Sequence, residues 1–169
     1  MIRLSLFISL LLTPVAVLAD DVLINISGEV YIPPCTINNG QNIVVDFGDI
    51  NPAAVNNKDG AIEKSVSVSC PYKGGTPWIK LTGTYLSAQN NNVLKTNIDG
   101  FGIALYQGKG TATRLIFGDG TEKNGFRVLD GLDSAGVTFT FTSMPFQYGS
   151  GILNGGHFEA TANMSPIYK

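Results

Sequence analysis

One histidine, two cysteines and one tryptophan in 169 residues leave little material for catalysis or metal binding. A single His gives few routes to general acid–base work near neutral pH or to a His-rich metal site, so hydrolase and metalloenzyme readings start low. Charge is scarce as well: 14% of residues are Asp, Glu, Lys or Arg, against about a quarter in ordinary globular chains. The formal net charge of −2 argues against an electrostatic grip on nucleic acid or anionic lipid. Beyond residue 19 no apolar stretch approaches the roughly 20 residues of a membrane span. What is abundant is hydrophobic residues, at 44%, and glycine, at 20 residues. The length fits one domain with a short appendage, and the apolar fraction can fill a single core.

The first nineteen residues read as a leader. Arg3 carries the positive charge, Leu4 to Leu12 is apolar apart from Ser5 and Ser9, and Val17-Leu18-Ala19 places small residues where a signal peptidase reads. A membrane anchor is the alternative, and its apolar stretch of about 15 residues is too short to span. The sequence therefore predicts cleavage after Ala19 and export. Arg3 leaves with the leader, which makes the mature chain one unit more negative.

Export sets how Cys35 and Cys70 read. In an oxidising compartment a bridge between them is the default. It would close a loop whose entropy corresponds to roughly 3–4 kcal/mol. Two free thiols or a metal pair would need partner ligands the chain lacks.

The rest reads as strands and turns. Ile43-Val44-Val45-Asp46-Phe47, Ala61 to Cys70, Trp78 to Thr82, Phe101 to Tyr106 and Val137 to Thr142 are short runs bounded by Gly, Asn, Asp or Pro clusters. Within the second run, Val66, Val68 and Cys70 make a clean apolar face, and the register slips at Lys64. No window of 12 or more residues shows a sustained helical stripe. The pattern predicts an all-β sandwich without internal repeats.

The two ends carry the strongest patterns. Val22, Ile24, Ile26, Gly28, Val30 and Ile32 occupy alternate positions, with Asn25, Ser27 and Glu29 between them. In an extended chain these share one face, an apolar row notched at Gly28. Pro33-Pro34 removes two backbone donors and separates the row from the body at Cys35. At the other end Gly156, Phe158, Ala160, Ala162, Met164, Pro166 and Tyr168 take one face, while His157, Glu159, Thr161, Asn163 and Ser165 take the other. This predicts a last strand with one buried and one wet side.

Leader, alternating arm with its Gly, Pro-Pro-Cys junction, second Cys and C-terminal strand together resemble the subunits of chaperone–usher pili over the whole chain. The stretches Val30 to Gln41 and Phe101 to Gly110 are more narrowly similar to the minor tip pilins of P-type fimbriae, above all the adaptor that joins adhesin to tip fibrillum. The resemblance implies an incomplete immunoglobulin-like sandwich of six strands, the seventh missing. It implies a leader over residues 1–19, a donor-strand extension over 20–34 and a pilin domain over 35–169. Ile24, Ile26, Gly28, Val30 and Ile32 match the donor row, with Gly28 where the receiving groove is shallow. Gly156, Phe158, Ala160, Ala162, Met164 and Tyr168 match the acceptor groove, and Lys169 the chaperone-held carboxylate. Implied partners are a periplasmic chaperone, an outer-membrane usher, neighbouring pilins and the adhesin, on a fimbrium at the bacterial surface. No enzyme activity, cofactor, nucleic acid or small-molecule substrate is implied. The chain is about half the length of a two-domain adhesin, and an adaptor and a terminator differ in a groove whose shape the sequence does not display.

Other signals are weaker. Gly102 to Gly110 misses phosphate-loop spacing by one residue and ends in Gly110 where Ser or Thr would hold magnesium. The two glycosylation sequons, at Asn25 and Asn163, fall at chance frequency. Asp119, Glu122, Asp130 and Asp133 lack the spacing of a calcium loop. His157 reads as a surface residue, and Trp78 as sandwich core. Trp78 and Tyr72 near Gly74-Gly75 leave one alternative open, a secreted carbohydrate-binding sandwich with aromatic stacking.

Overall fold

The structure, a computed structural model, describes residues 21–72, 74, 75, 77–118, 126, 127 and 137–168. The expected leader, Lys169 and the Asp119, Glu122, Asp130 and Asp133 group lie outside the described residues. The chain divides into two units between Tyr31 and Ile32. Residues 21–31 form no strand or helix, and their side chains are exposed.

In the second unit the alternating runs become strands. In chain order these are β1 (Thr36–Ile37), β2 (Ile62–Ser69), β3 (Pro77–Gly83), β4 (Val93–Lys95), β5 (Phe101–Gln107), β6 (Thr113–Arg114), β7 (Phe117–Gly118), β8 (Phe126–Arg127), β9 (Val137–Gln147) and β10 (Ala162–Tyr168). Six of them are longer than two residues. One sheet has the order β1-β2-β9-β5-β4, with β6 on β5; the other is β10-β3-β7, with β8 on β3. All pairings are antiparallel except β3 with β7. The fold is all-β, and β10 is an edge strand.

The core forms where the inward faces meet. Val66 and Val68 of β2, Phe139 and Phe141 of β9, and Ile103 and Leu105 of β5 are buried with Ile79 and Leu81 of β3. The face of β2 runs through Lys64, which is half-buried beside buried Val66 and Val68. The register therefore holds where the sequence implied a slip, because a lysine stem can lie on apolar surface with its head in water. Trp78 is half-buried and alternates with buried Pro77 and Ile79, so it lies on the face opposite the core. Gly102 in β5 is set by close approach: a Cβ there would meet Val93 Cγ1 at 2.7 Å and the Leu94 carbonyl oxygen at 2.8 Å.

Two constraints fix the sheet margins. Cys35 and Cys70 are disulfide-bonded, one residue beyond the Thr36–Ser69 pair that starts the β1–β2 ladder. The β2–β9 ladder stops at Ile62 opposite Ser143, and Pro145, two residues on in β9, has no N–H to continue it. Beyond it the Asn57 side chain takes the place of a strand, accepting from Gln147 N at 2.6 Å and donating to Gln147 O at 2.9 Å.

Two expected strands are shorter than the pattern implied. Residues 43–47 pair with nothing among the described residues, and the C-terminal strand is laddered only over Ala162–Tyr168. Its Gly156 to Thr161 portion lies outside any ladder. Both unpaired stretches lie along the same opening.

Candidate functional site: an open apolar groove

Two adjoining cavities of about 720 and 560 Å³ share Val44, Val45, Phe47, Phe158 and Glu159, and together form one groove. Residues 43–55 make one wall and residues 153–164 the other. The floor of the second cavity is the core itself: Leu81, Leu94, Ile103, Leu105 and Phe141. These side chains are buried, yet they border the groove directly.

The walls are apolar toward the opening. Ile43, Val45, Phe47, Phe158, Ala160, Met164 and Tyr168 are only partly buried while packing on the core. Phe158 stands edge-on to Phe101 at 4.9 Å and is tilted to Phe47 at 6.3 Å, joining the two walls at one end. Tyr72 and Tyr168 pack edge-on at 5.4 Å at the other end of the row. Ala162 is exposed and lines the groove. Gly156 has φ of 153°, a conformation that favours glycine, and nothing stands within 4 Å of where its Cβ would be.

The backbone along the same line is in no further ladder among the described residues. A proline within a paired strand must turn its nitrogen away from its partner. Pro166 lies opposite Ile79 in the β10–β3 ladder, so its nitrogen faces away from β3, toward the free edge of β10. By strand alternation the other even-numbered residues of β10 also direct their peptide groups there. Upstream, Asn97 holds the odd-numbered side: its amide donates to His157 O at 3.0 Å and its Oδ1 accepts from Glu159 N at 2.9 Å. That leaves the edge at Phe158 and Ala160 toward the opening. Across the groove, residues 43–47 are in no ladder among the described residues. Two edges without a further ladder among the described residues thus flank a floor made of core side chains, a shape that matches one extended strand.

The remaining expected site residues are placed as follows. Ile24, Ile26 and Val30 are 78%, 91% and 95% exposed, Ile32 is 50% exposed, and Gly28 has nothing within 4 Å of its Cβ position. His157 is exposed beside Glu159, Nε2 to Oε1 3.2 Å. The opposite wall, Ile43 to Val55, was not assigned to the site from sequence. Its apolar run was visible as a strand, but nothing in one strand's pattern tells which edge stays unpaired. Among the described residues no group of three His, Cys, Asp or Glu could hold a metal, and no helix is long and apolar enough to cross a membrane.

A sandwich with an open seat for one strand defines a class of incomplete β-sandwich subunits, and the sequence comparison identifies it. The model of the fimbrial protein family matches residues 24–169, and the chain belongs to that family. The fimbrial adapter PapF and the minor fimbrial protein PrsF of Escherichia coli are each 68% identical over 168 residues, covering 99% of this chain and 99% of theirs. A solved structure of the P pilus adaptor subunit PapF, described for its polymerization reactivity, is 57% identical and superimposes with a TM-score of 0.62, covering 82% of this chain and 98% of that one. The crystal structure of the P pilus rod subunit PapA shares the fold at 21% identity and TM-score 0.60, covering 81% of this chain and all of that one.

Proposed function

We infer that this chain is a structural, non-catalytic pilus subunit that works by lending and receiving a strand, in the position of an adaptor between an adhesin and the tip fibrillum. The observation that carries the reading is the groove whose floor is the core and whose two walls end in edges with no further ladder among the described residues. Its likeness to PapF over nearly the whole chain supports the adaptor position. A periplasmic chaperone fills the groove of the exported subunit, and at the outer-membrane usher the arm of a neighbouring pilin replaces it. Strand addition by chaperone–pilin complexes is a recognised mode of binding in which main-chain bonds give affinity and side-chain pockets give specificity.

Residues 20–34 are the lending arm and residues 35–169 the receiving domain. Ile24, Ile26, Val30 and Ile32 enter a neighbour's groove, and Gly28 passes its shallow point. Exposure of this row supports the assignment, since a line of large apolar side chains in water calls for a partner. At about 1.5–3 kcal/mol per side chain, burial gives roughly 6–12 kcal/mol before ordering costs. Phe158, Ala160, Ala162 and Met164 receive the incoming row. Gly156 opens that wall, and Tyr168 and Lys169 close the far end, where basic chaperone groups hold the terminal carboxylate.

The test is thermal unfolding of the purified mature chain with and without a synthetic pilin donor-strand peptide. A sharp rise in melting temperature on adding peptide is expected. A stable monomer indifferent to the peptide would mean a complete sandwich and end this reading.

A further inference from the structure

The groove has a charge as well as a shape. Asp46, Asp49 and Glu159 line one cavity, and among the described residues no Lys or Arg lines either cavity. All three acids are exposed. Asp46 Oδ1 accepts from Gly48 N at 2.9 Å, and Glu159 Oε1 lies 3.2 Å from His157 Nε2. His157 is the one basic side chain among the described lining residues. The rim therefore carries an excess of negative charge, at the end where Phe47 and Phe158 meet.

The arm carries the same sign. From Asp20 to Pro34 its charged residues are Asp20, Asp21 and Glu29, with no Lys or Arg. Asp20 and Asp21 precede the apolar row, and Glu29 lies within it, between Gly28 and Val30. A second copy's arm seated along β10 would carry Glu29 into the acidic groove together with its apolar row. Glu29 alternates with the apolar row, as Asp46 alternates with Val45 and Phe47, and Glu159 with Phe158 and Ala160. With the row buried, these acids share the outward face. Like charges on neighbouring strands oppose pairing, and opposite charges favour it.

We propose that the acidic rim is a selectivity element of the strand-acceptor groove. It disfavours the arm of a second copy of this chain and favours an apolar arm of another subunit with Lys or Arg where this arm has Glu29. This rests on the strand-acceptor reading above and adds partner choice to it. Apolar rows can be alike among subunits, so a charge mismatch discriminates where hydrophobic burial does not. The consequence is a subunit that does not follow itself in a fibre.

The test uses the full mature chain refolded with labelled peptides. One has the sequence of residues 20–34, a second carries Glu29→Lys, and a third has Ile24, Ile26, Val30 and Ile32 replaced by Ser. At low ionic strength the Glu29→Lys peptide is expected to bind about three- to tenfold more tightly than the unsubstituted one. The difference should collapse in high salt, because the rim is exposed. It should also collapse in an Asp46→Asn, Glu159→Gln chain, in which Asn keeps the acceptor for Gly48 N. Equal binding of the first two peptides, or a preference that salt leaves unchanged, overturns the proposal. The salt series uses the unsubstituted chain and decides the matter even if the double variant does not fold. If no peptide binds, or the Ser peptide binds as well as the others, the strand-acceptor reading itself falls and takes this proposal with it.

Discussion

Tyr168 carries a buried hydroxyl with no hydrogen-bond partner among the described residues. A buried polar group left unmatched costs about 1–3 kcal/mol, while its ring still contributes packing, here against Tyr72. Tyr168→Phe is therefore expected to leave the melting temperature unchanged or raise it, and Tyr168→Ala to lower it, as measured by calorimetry on the peptide-filled chain. Gly102 is the opposite case. Gly102→Ala would drive a methyl into Val93 and the Leu94 carbonyl and should lower stability by about 1–3 kcal/mol in denaturant titrations. The sequence offered Gly102 only as part of a Gly-rich stretch. Its requirement comes from the neighbouring strand β4, which no local pattern specifies. Trp78 shows the same limit, since alternation sets that it opposes Ile79 but not which of the two faces the core.

The arm and the last strand are where one-dimensional pattern says most, because a two-residue period maps directly onto faces. The alternation of residues 22–32 is read from spacing, and these side chains are exposed. Deleting Ser27 would turn Val22, Ile24 and Ile26 onto the other face relative to Val30 and Ile32. The expected result is a peptide that no longer raises the melting temperature of the receiving chain, whereas Ser27→Ala retains the effect. The last strand was legible as a face but not as a ladder, since Gly156 to Thr161 is held by Asn97 instead of a strand. Asn97→Ala removes both hydrogen bonds, at roughly 1–3 kcal/mol in total, and should speed hydrogen exchange at the Glu159 amide while leaving Leu105 protected. An unchanged Glu159 rate would show that Asn97 does not hold that wall. A side-chain clamp from 60 residues upstream leaves no periodic trace in sequence.

For the molecule as a whole, the all-β class, the Cys35–Cys70 pair and the apolar ends were accessible from composition and alternation. Which edge of which sheet stays open was not, because that follows from how the sheets close around residues 43–47. Cys35→Ser with Cys70→Ser frees a loop closed over a separation of 35 residues. It should cost roughly 3–4 kcal/mol, seen as a lowered unfolding midpoint in the peptide-filled chain. The same loss should follow from reducing agent and be absent from the double Ser variant on further reduction.

The groove's floor of Leu81, Leu94, Ile103, Leu105 and Phe141 has a further implication for a fibre built from such units. If each joint is completed by a neighbour's arm, the joint and the fold draw on one reservoir of free energy, and stability becomes a property of the pair through mass action. Pulling two subunits apart is then partial denaturation of one of them. A break cannot leave two sound ends: the released side bears an opened interior, prone to clump, and reuse would depend on an escort reaching it before another exposed interior does.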